Sequence, residues 1–100
     1  MALVYITCRD NSEAEKISRH LLERRLIACA NIFPVKSLYW WDGRIVDENE
    51  VVIFAKAVDY DAVKEEVKKI HSYSVPCILK INTEANPEYM QWVKKVVGLK

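Results

Sequence analysis

Glycine and proline are scarce: two glycines (43 and 98) and three prolines (34, 76 and 87) in 100 residues. Flexible linkers and a glycine-rich phosphate loop are thereby excluded, and almost the whole chain is left for secondary structure. A basic excess is missing too. Fifteen Lys and Arg face 14 Asp and Glu, for a formal net charge of +1, so no basic stripe for nucleic acid is expected. The densest basic cluster, Arg19, His20, Arg24 and Arg25, is broken by Glu23 and reads as a solvated helix face. No apolar run reaches the roughly 18 residues of a membrane span. The three cysteines, Cys8, Cys29 and Cys77, are odd in number and widely spaced. They form neither a disulfide framework nor a CxxC zinc or redox pattern, and a reducing cytoplasm is the expected location. The first residues, Met1-Ala2-Leu3-Val4-Tyr5, lack a basic n-region and are strand-like, which does not fit a signal peptide. No nucleophilic serine stands between glycines, so no catalytic triad is expected and the protein is not read as an enzyme.

What is present is a chain 51% hydrophobic and 29% charged, the balance of a compact protein, read as a single domain over residues 1–100. A chain this short has a poor surface-to-volume ratio, so assembly would help it. Ala2 to Cys8 alternates as a strand. Ser12 with Glu15 reads as a capping box for a helix with Ala14, Ile17, Leu21 and Leu22 inward and Glu13, Lys16 and Arg19 outward, ending near Arg25. Leu26–Trp41 and Arg44–Lys56 read as two long strands. Asp59 or Asp61 opens a second helix with Val63, Val67 and Ile70 inward; Cys77–Asn82 is a fourth strand; Asn86-Pro87-Glu88 starts a third helix that Gly98 ends. The order β-α-β-β-α-β-α predicts an α+β sandwich: a ferredoxin-like βαββαβ unit, helices on one face of one sheet, with an extra C-terminal helix and a long central β-hairpin.

That hairpin is the most distinctive segment. Tyr39-Trp40-Trp41 runs straight into Asp42-Gly43, the strongest short-range hairpin signal. Strands of about 13 residues extend roughly 43 Å, against a diameter near 33 Å (about twice a 13 Å radius of gyration, plus margin) for a domain of this size. The hairpin should therefore overhang its own domain and carry three aromatics with it. Pro34 within the second strand is tolerated only at an edge or bulge, and an edge is a pairing site. Tyr39, Trp40 and Trp41 are thus the expected interface of a homo-oligomer. The alternative is a strand broken at Pro34, its aromatics folded back on the third helix.

Arg25-Leu26-Ile27-Ala28-Cys29-Ala30-Asn31, Tyr39-Trp40-Trp41 with Gly43 and Ile45, His71 and Tyr73 followed by Pro76, and Trp92 in the last helix together closely resemble the CutA divalent-cation-tolerance family over essentially the whole chain. The resemblance implies a tight homotrimer, similar in architecture to the PII signalling proteins, and a role in tolerance to copper and other divalent metals. It implies no reaction and no obligatory cofactor; copper or another divalent ion is the ligand. Two positions depart from the family pattern: Ser72 where it has proline in His-Pro-Tyr, and Ala57 where it has threonine in Lys-Thr. The first is expected to loosen the loop, because proline's fixed φ is lost; the second removes a hydroxyl near Lys56.

Cys29 and His71 are the candidate metal ligands, suited to copper. No two Cys or His residues have ligand spacing, so one chain shows no metal site; in a trimer, a lone ligand near the threefold axis appears three times and could build one. Cys29 also reads as a small buried strand residue, as do Cys8 and Cys77; His20 reads as solvated. His71 ends the second helix, where the macrodipole favours a cation, and borders a loop able to carry function. Glu50 and Lys56 share a strand face with Val52 and Phe54. A charge on an apolar face needs a partner, so Glu50, Lys56, His71 and Tyr73 are the candidates for a ligand cleft between subunits. A PII-like sensor using Lys56, His71 and Tyr73 on a small anion is the alternative function.

Overall fold

The computed structural model describes residues 1–98, with elements β1 (Ala2–Cys8), α1 (Asn11–Glu23), β2 (Ile27–Trp41), β3 (Arg44–Ala57), α2 (Tyr60–Ile70), β4 (Ile78–Asn82) and α3 (Pro87–Val97). One antiparallel sheet has the order β2-β3-β1-β4, which is the expected ferredoxin-like arrangement with β2 at an edge. Alternation sets its two faces. Val4, Ile6 and Cys8 of β1, with Ile53, Ala55 and Ala57 of β3, meet Ala14, Ile17, Leu21, Val63 and Val67 of α1 and α2 in one buried core. Leu3, Tyr5 and Thr7 stand opposite Lys56, Phe54 and Val52 on the other face.

α1 is capped two residues earlier than the Ser12–Glu15 spacing predicts. Asp10 is the N-cap and its Oδ1 accepts the Glu13 N–H at 2.9 Å. Glu13 is not on the solvent side: it is 7% exposed. Leu22, expected inward, is exposed. The helix ends at Arg25, whose positive φ of 58° lets its own N–H reach Leu22 and the Leu26 N–H reach Leu21, a Schellman closure built without glycine. His20 is not free in solvent either. Its Nε2 lies 2.7 Å from Glu66 Oε1, and Arg24 and Lys69 share that carboxylate. The His20 hydrogen bond, then Lys69 and Arg24, hold the Glu66 carboxyl below its usual range and tie α1 to α2.

Asp42 and Gly43 both take positive φ, 55° and 78°, as a two-residue primed turn requires. β2 runs unbroken through Pro34, which sits opposite Val51; the one register shift lies between Ile27 and Cys29. Pairing with β1 stops at Cys8–Val51, so beyond that point β2 and β3 form a two-stranded arm and the long axis reaches 45 Å. Leu38, Trp40, Trp41 and Ile45 are exposed on it, Trp40 at 71% and Trp41 at 59%. The aromatics do not fold back on α3. Nor does α3 join the other helices. It packs on β2 and β3, with Tyr89 against Cys29 on the face away from α1 and α2, because Cys29 stands opposite Lys56.

Candidate functional site

The end of β1, the start of α1 and the end of α2 converge on three side chains of ligating type. Cys8 closes β1, Glu13 lies in the first turn of α1 and His71 caps α2. A thiol sulfur, a carboxylate oxygen and a ring nitrogen from these residues lie within 4.8 Å of one another, with Cys8 and Glu13 buried. Hydrogen bonds fix the group. The Arg9 and Ser72 N–H groups donate to Glu13 Oε1 and Oε2, each at 2.9 Å. His71 Nε2 meets the Thr7 carbonyl at 2.8 Å, and the Tyr73 N–H meets Nδ1 at 3.0 Å. A carbonyl only accepts and an N–H only donates, so His71 is the neutral tautomer with its proton on Nε2.

Burial pushes the Cys8 thiol up to about 12, helped by Glu13, Glu50 and Asp10. For Glu13 burial acts upward as well, but the Arg9 and Ser72 donors outweigh it, and the carboxyl titrates below its usual range. Thiolate, imidazole and carboxylate suit copper or zinc. Loading requires Cys8 to lose its proton and His71 to give up one of its two hydrogen bonds, so affinity should rise steeply with pH. The same burial predicts that a thiol reagent at pH 8 modifies Cys29 and Cys77, both partly accessible, well before Cys8. Mass mapping of an alkylation time course measures that order.

Beside this cluster lies a cavity of about 670 Å³ between the hairpin arm and the loop after α2, lined by Tyr39, Trp41, Glu48, Glu50, Tyr73 and Cys77 among others. Tyr73 Oη donates to Glu50 Oε2 at 2.7 Å, and Tyr39 Oη donates to Glu48. The bond to Glu48 holds the Tyr39 phenol at about 12; burial, then Glu50, raises that of Tyr73, and burial raises the Cys77 thiol. The His71 and Tyr73 rings sit 4.9 Å apart, so cluster and cavity share a wall.

Cys29 and Lys56 are elsewhere. Lys56 Nζ lies 3.6 Å from Cys29 Sγ and bonds Asn31 Oδ1. Lys56 stands opposite Leu3, whereas Thr7, which holds His71, stands opposite Val52. Four residues of strand separate the two positions, about 13 Å. The structure brings Glu50, His71 and Tyr73 together and sets Lys56 and Cys29 apart from them. An anion site shared by Lys56, His71 and Tyr73 is therefore not formed within one chain. The residues that sequence reasoning passed over are Cys8 and Glu13. Their signal was positional: a strand-ending cysteine followed directly by a helix cap.

The family model described as CutA1 divalent ion tolerance protein matches residues 2–96. The chain belongs to this family. The divalent-cation tolerance protein CutA of Archaeoglobus fulgidus is 40% identical over 97 residues, covering 94% of this chain and 95% of that relative. Its solved structure, which describes that protein as periplasmic, superposes with a TM-score of 0.91. CutA1 of Pyrococcus horikoshii gives a TM-score of 0.92 at 36% identity, with 96% of this chain and 97% of that one covered. CutA of Nostoc sp. PCC 7120, described as PII-like, gives 0.91 at 28% identity over the full length of both chains. Within the CutA1 family frame, the two departures differ in consequence. Ser72 supplies an N–H, which proline lacks, and that N–H holds Glu13, so the loop is tied where loosening was expected. Ala57 is buried in the core under α1 and α2, on the face opposite Lys56, so no hydroxyl is missing from the surroundings of that lysine.

Proposed function

We propose that this member of the CutA1 family is a homotrimeric divalent-cation tolerance protein that binds copper or a similar divalent ion weakly through Cys8, Glu13 and His71. The observation that carries the reading is the convergence of three ligating side chains from three elements within 4.8 Å. Weak binding follows from the hydrogen bonds that already occupy His71 and Glu13. The bare arm, with Trp40 and Trp41, supports self-assembly, and the trimer is the assembly that the family resemblance implies. Three free cysteines support a reducing, cytoplasmic location. Anaerobic copper titration tests the site. Wild type should bind one ion per chain, Cys8→Ala should weaken it by at least about tenfold, and Cys29→Ala should leave it unchanged. The reverse pattern would move the ion to Cys29. A second reading, a PII-like sensor of a small ligand, is supported by the 670 Å³ cavity beside Tyr73.

A further inference from the structure

Two of the three ligating side chains also anchor the loop after α2. The Ser72 N–H donates to Glu13 Oε2 at 2.9 Å, and the next N–H, that of Tyr73, donates to His71 Nδ1 at 3.0 Å. These acceptors differ in what they have to spare. A carboxylate offers about four lone-pair sites. Glu13 commits one oxygen to the Arg9 N–H and the other to Ser72, so it can ligate and still keep Ser72. A neutral imidazole has a single lone pair on its ring nitrogens. In His71 that pair is on Nδ1 and takes the Tyr73 N–H, while the Nε2 proton is held by the Thr7 carbonyl. Ligation through Nδ1 displaces the Tyr73 N–H outright. Ligation through Nε2 releases Thr7 and moves the ring proton to Nδ1, where it faces the Tyr73 N–H, donor against donor. Whichever nitrogen ligates, Tyr73 loses its backbone acceptor.

Tyr73 is also the loop's grip on the hairpin arm. Its hydroxyl donates to Glu50 Oε2 at 2.7 Å. Glu50 is the first β3 residue past the last β1 pair, Cys8–Val51, so it stands at the root of the arm. It is buried even in a single chain. There, water can still reach Glu50 if the Tyr73 hydroxyl leaves. Once a neighbouring subunit covers the arm, that access closes, and a buried carboxylate stripped of its donor is costly. Assembly therefore holds Tyr73 in place, whereas ligation at His71 dislodges it.

We propose that ion binding at Cys8, Glu13 and His71 and closure of the trimer oppose one another, with Tyr73 as the link. The proposal rests on both parts of the functional reading above, the ion site and the trimer closed by the arm. Linkage makes the effect reciprocal: assembly weakens ion binding, and ion binding weakens assembly by the same factor per site.

Zinc suits the same three ligands and has no redox chemistry, so it is the probe, added to the intact assembly. At saturation, amide exchange followed by NMR should accelerate at least about fivefold at Tyr73, while Ser72 keeps its protection. Sedimentation over a dilution series should show trimers dissociating at a higher protein concentration with zinc than without. Tyr73→Phe keeps the ring and the backbone bond but lacks the hydroxyl. Its trimers should bind zinc at least about fivefold tighter than wild-type trimers, and zinc should leave their dissociation unchanged. Should that variant fail to fold, the exchange and dilution measurements on wild type decide alone. Zinc bound with Tyr73 still protected, or with trimer dissociation unmoved, would overturn the coupling and leave the ion site standing. No zinc binding, or binding untouched by Cys8→Ala, would overturn the ion site along with it. A wild type that is monomeric without zinc would overturn the trimer, and the coupling with it.

Discussion

Wild-type protein should sediment as a trimer, and Trp40→Ala with Trp41→Ala should shift it toward monomer. Both indoles stand on a two-stranded arm that its own domain leaves uncovered. A covered Trp removes about 150 Å² or more from water, worth roughly 3–4 kcal/mol each at 25 cal/mol per Å². Association also costs side-chain ordering and rigid-body freedom, so only part of that sum is recovered. Weakening by more than about a hundredfold, near 2.7 kcal/mol, is still expected. Leu38 and Ile45 lie on the same arm and are also exposed, so the interface should retain some apolar area in the double variant. The monomers should keep their fold, because the core of α1, α2, β1 and β3 does not include either Trp. A monodisperse wild-type monomer would remove self-assembly from the functional reading. A double variant as tightly assembled as wild type would move the interface off the arm.

Glu13→Ala should lower stability by about 4 kcal/mol, through the loss of two hydrogen bonds to a charged acceptor at roughly 1.5–3 kcal/mol each. The Arg9 and Ser72 N–H groups lose their acceptor in a partly buried setting. For a domain of this length the melting temperature should fall by about 20 °C. Glu13→Gln keeps one acceptor oxygen and turns an amide N–H toward the other donor, so it should fall between. The pH dependence has a definite sign. The folded Glu13 carboxyl titrates below its ordinary range, so its contribution is fully present above the unfolded value, about 4.3. That contribution is lost as pH falls through the lowered folded value. Urea unfolding of wild type and Glu13→Ala between pH 7 and pH 3 should therefore converge at the acid end. Parallel curves would mean that Glu13 is not held as the carboxylate.

The backbone was largely legible. Alternation fixed β1 at Ala2–Cys8, the Asp42-Gly43 pair fixed the hairpin, and Asp59 capped α2. Hairpin length against domain size foretold the overhang, and the family resemblance held. What could not be read depends on partners far away in sequence. A helical wheel turns Glu13 outward, yet its acceptor role is set by Ser72, 59 positions on. His20 looked solvated because its partner Glu66 belongs to another helix. Cys8 read as packing because the helical wheel turned Glu13, five residues on, outward, and His71 is brought in only by its bond to the Thr7 carbonyl. The apolar stripe of α3 did not reveal which sheet face it covers. Composition showed an even charge balance and concealed that the cavity is acidic.

The placement of the ion is tested most directly by anomalous diffraction from crystals grown with copper at a pH high enough to help ionise the Cys8 thiol. A peak between the Cys8 sulfur, Glu13 and His71, with the His71 ring released from Thr7 or from the Tyr73 N–H, is the expected result. A peak at Cys29 beside Lys56, with Cys8 and His71 still in their metal-free hydrogen bonds, would contradict it.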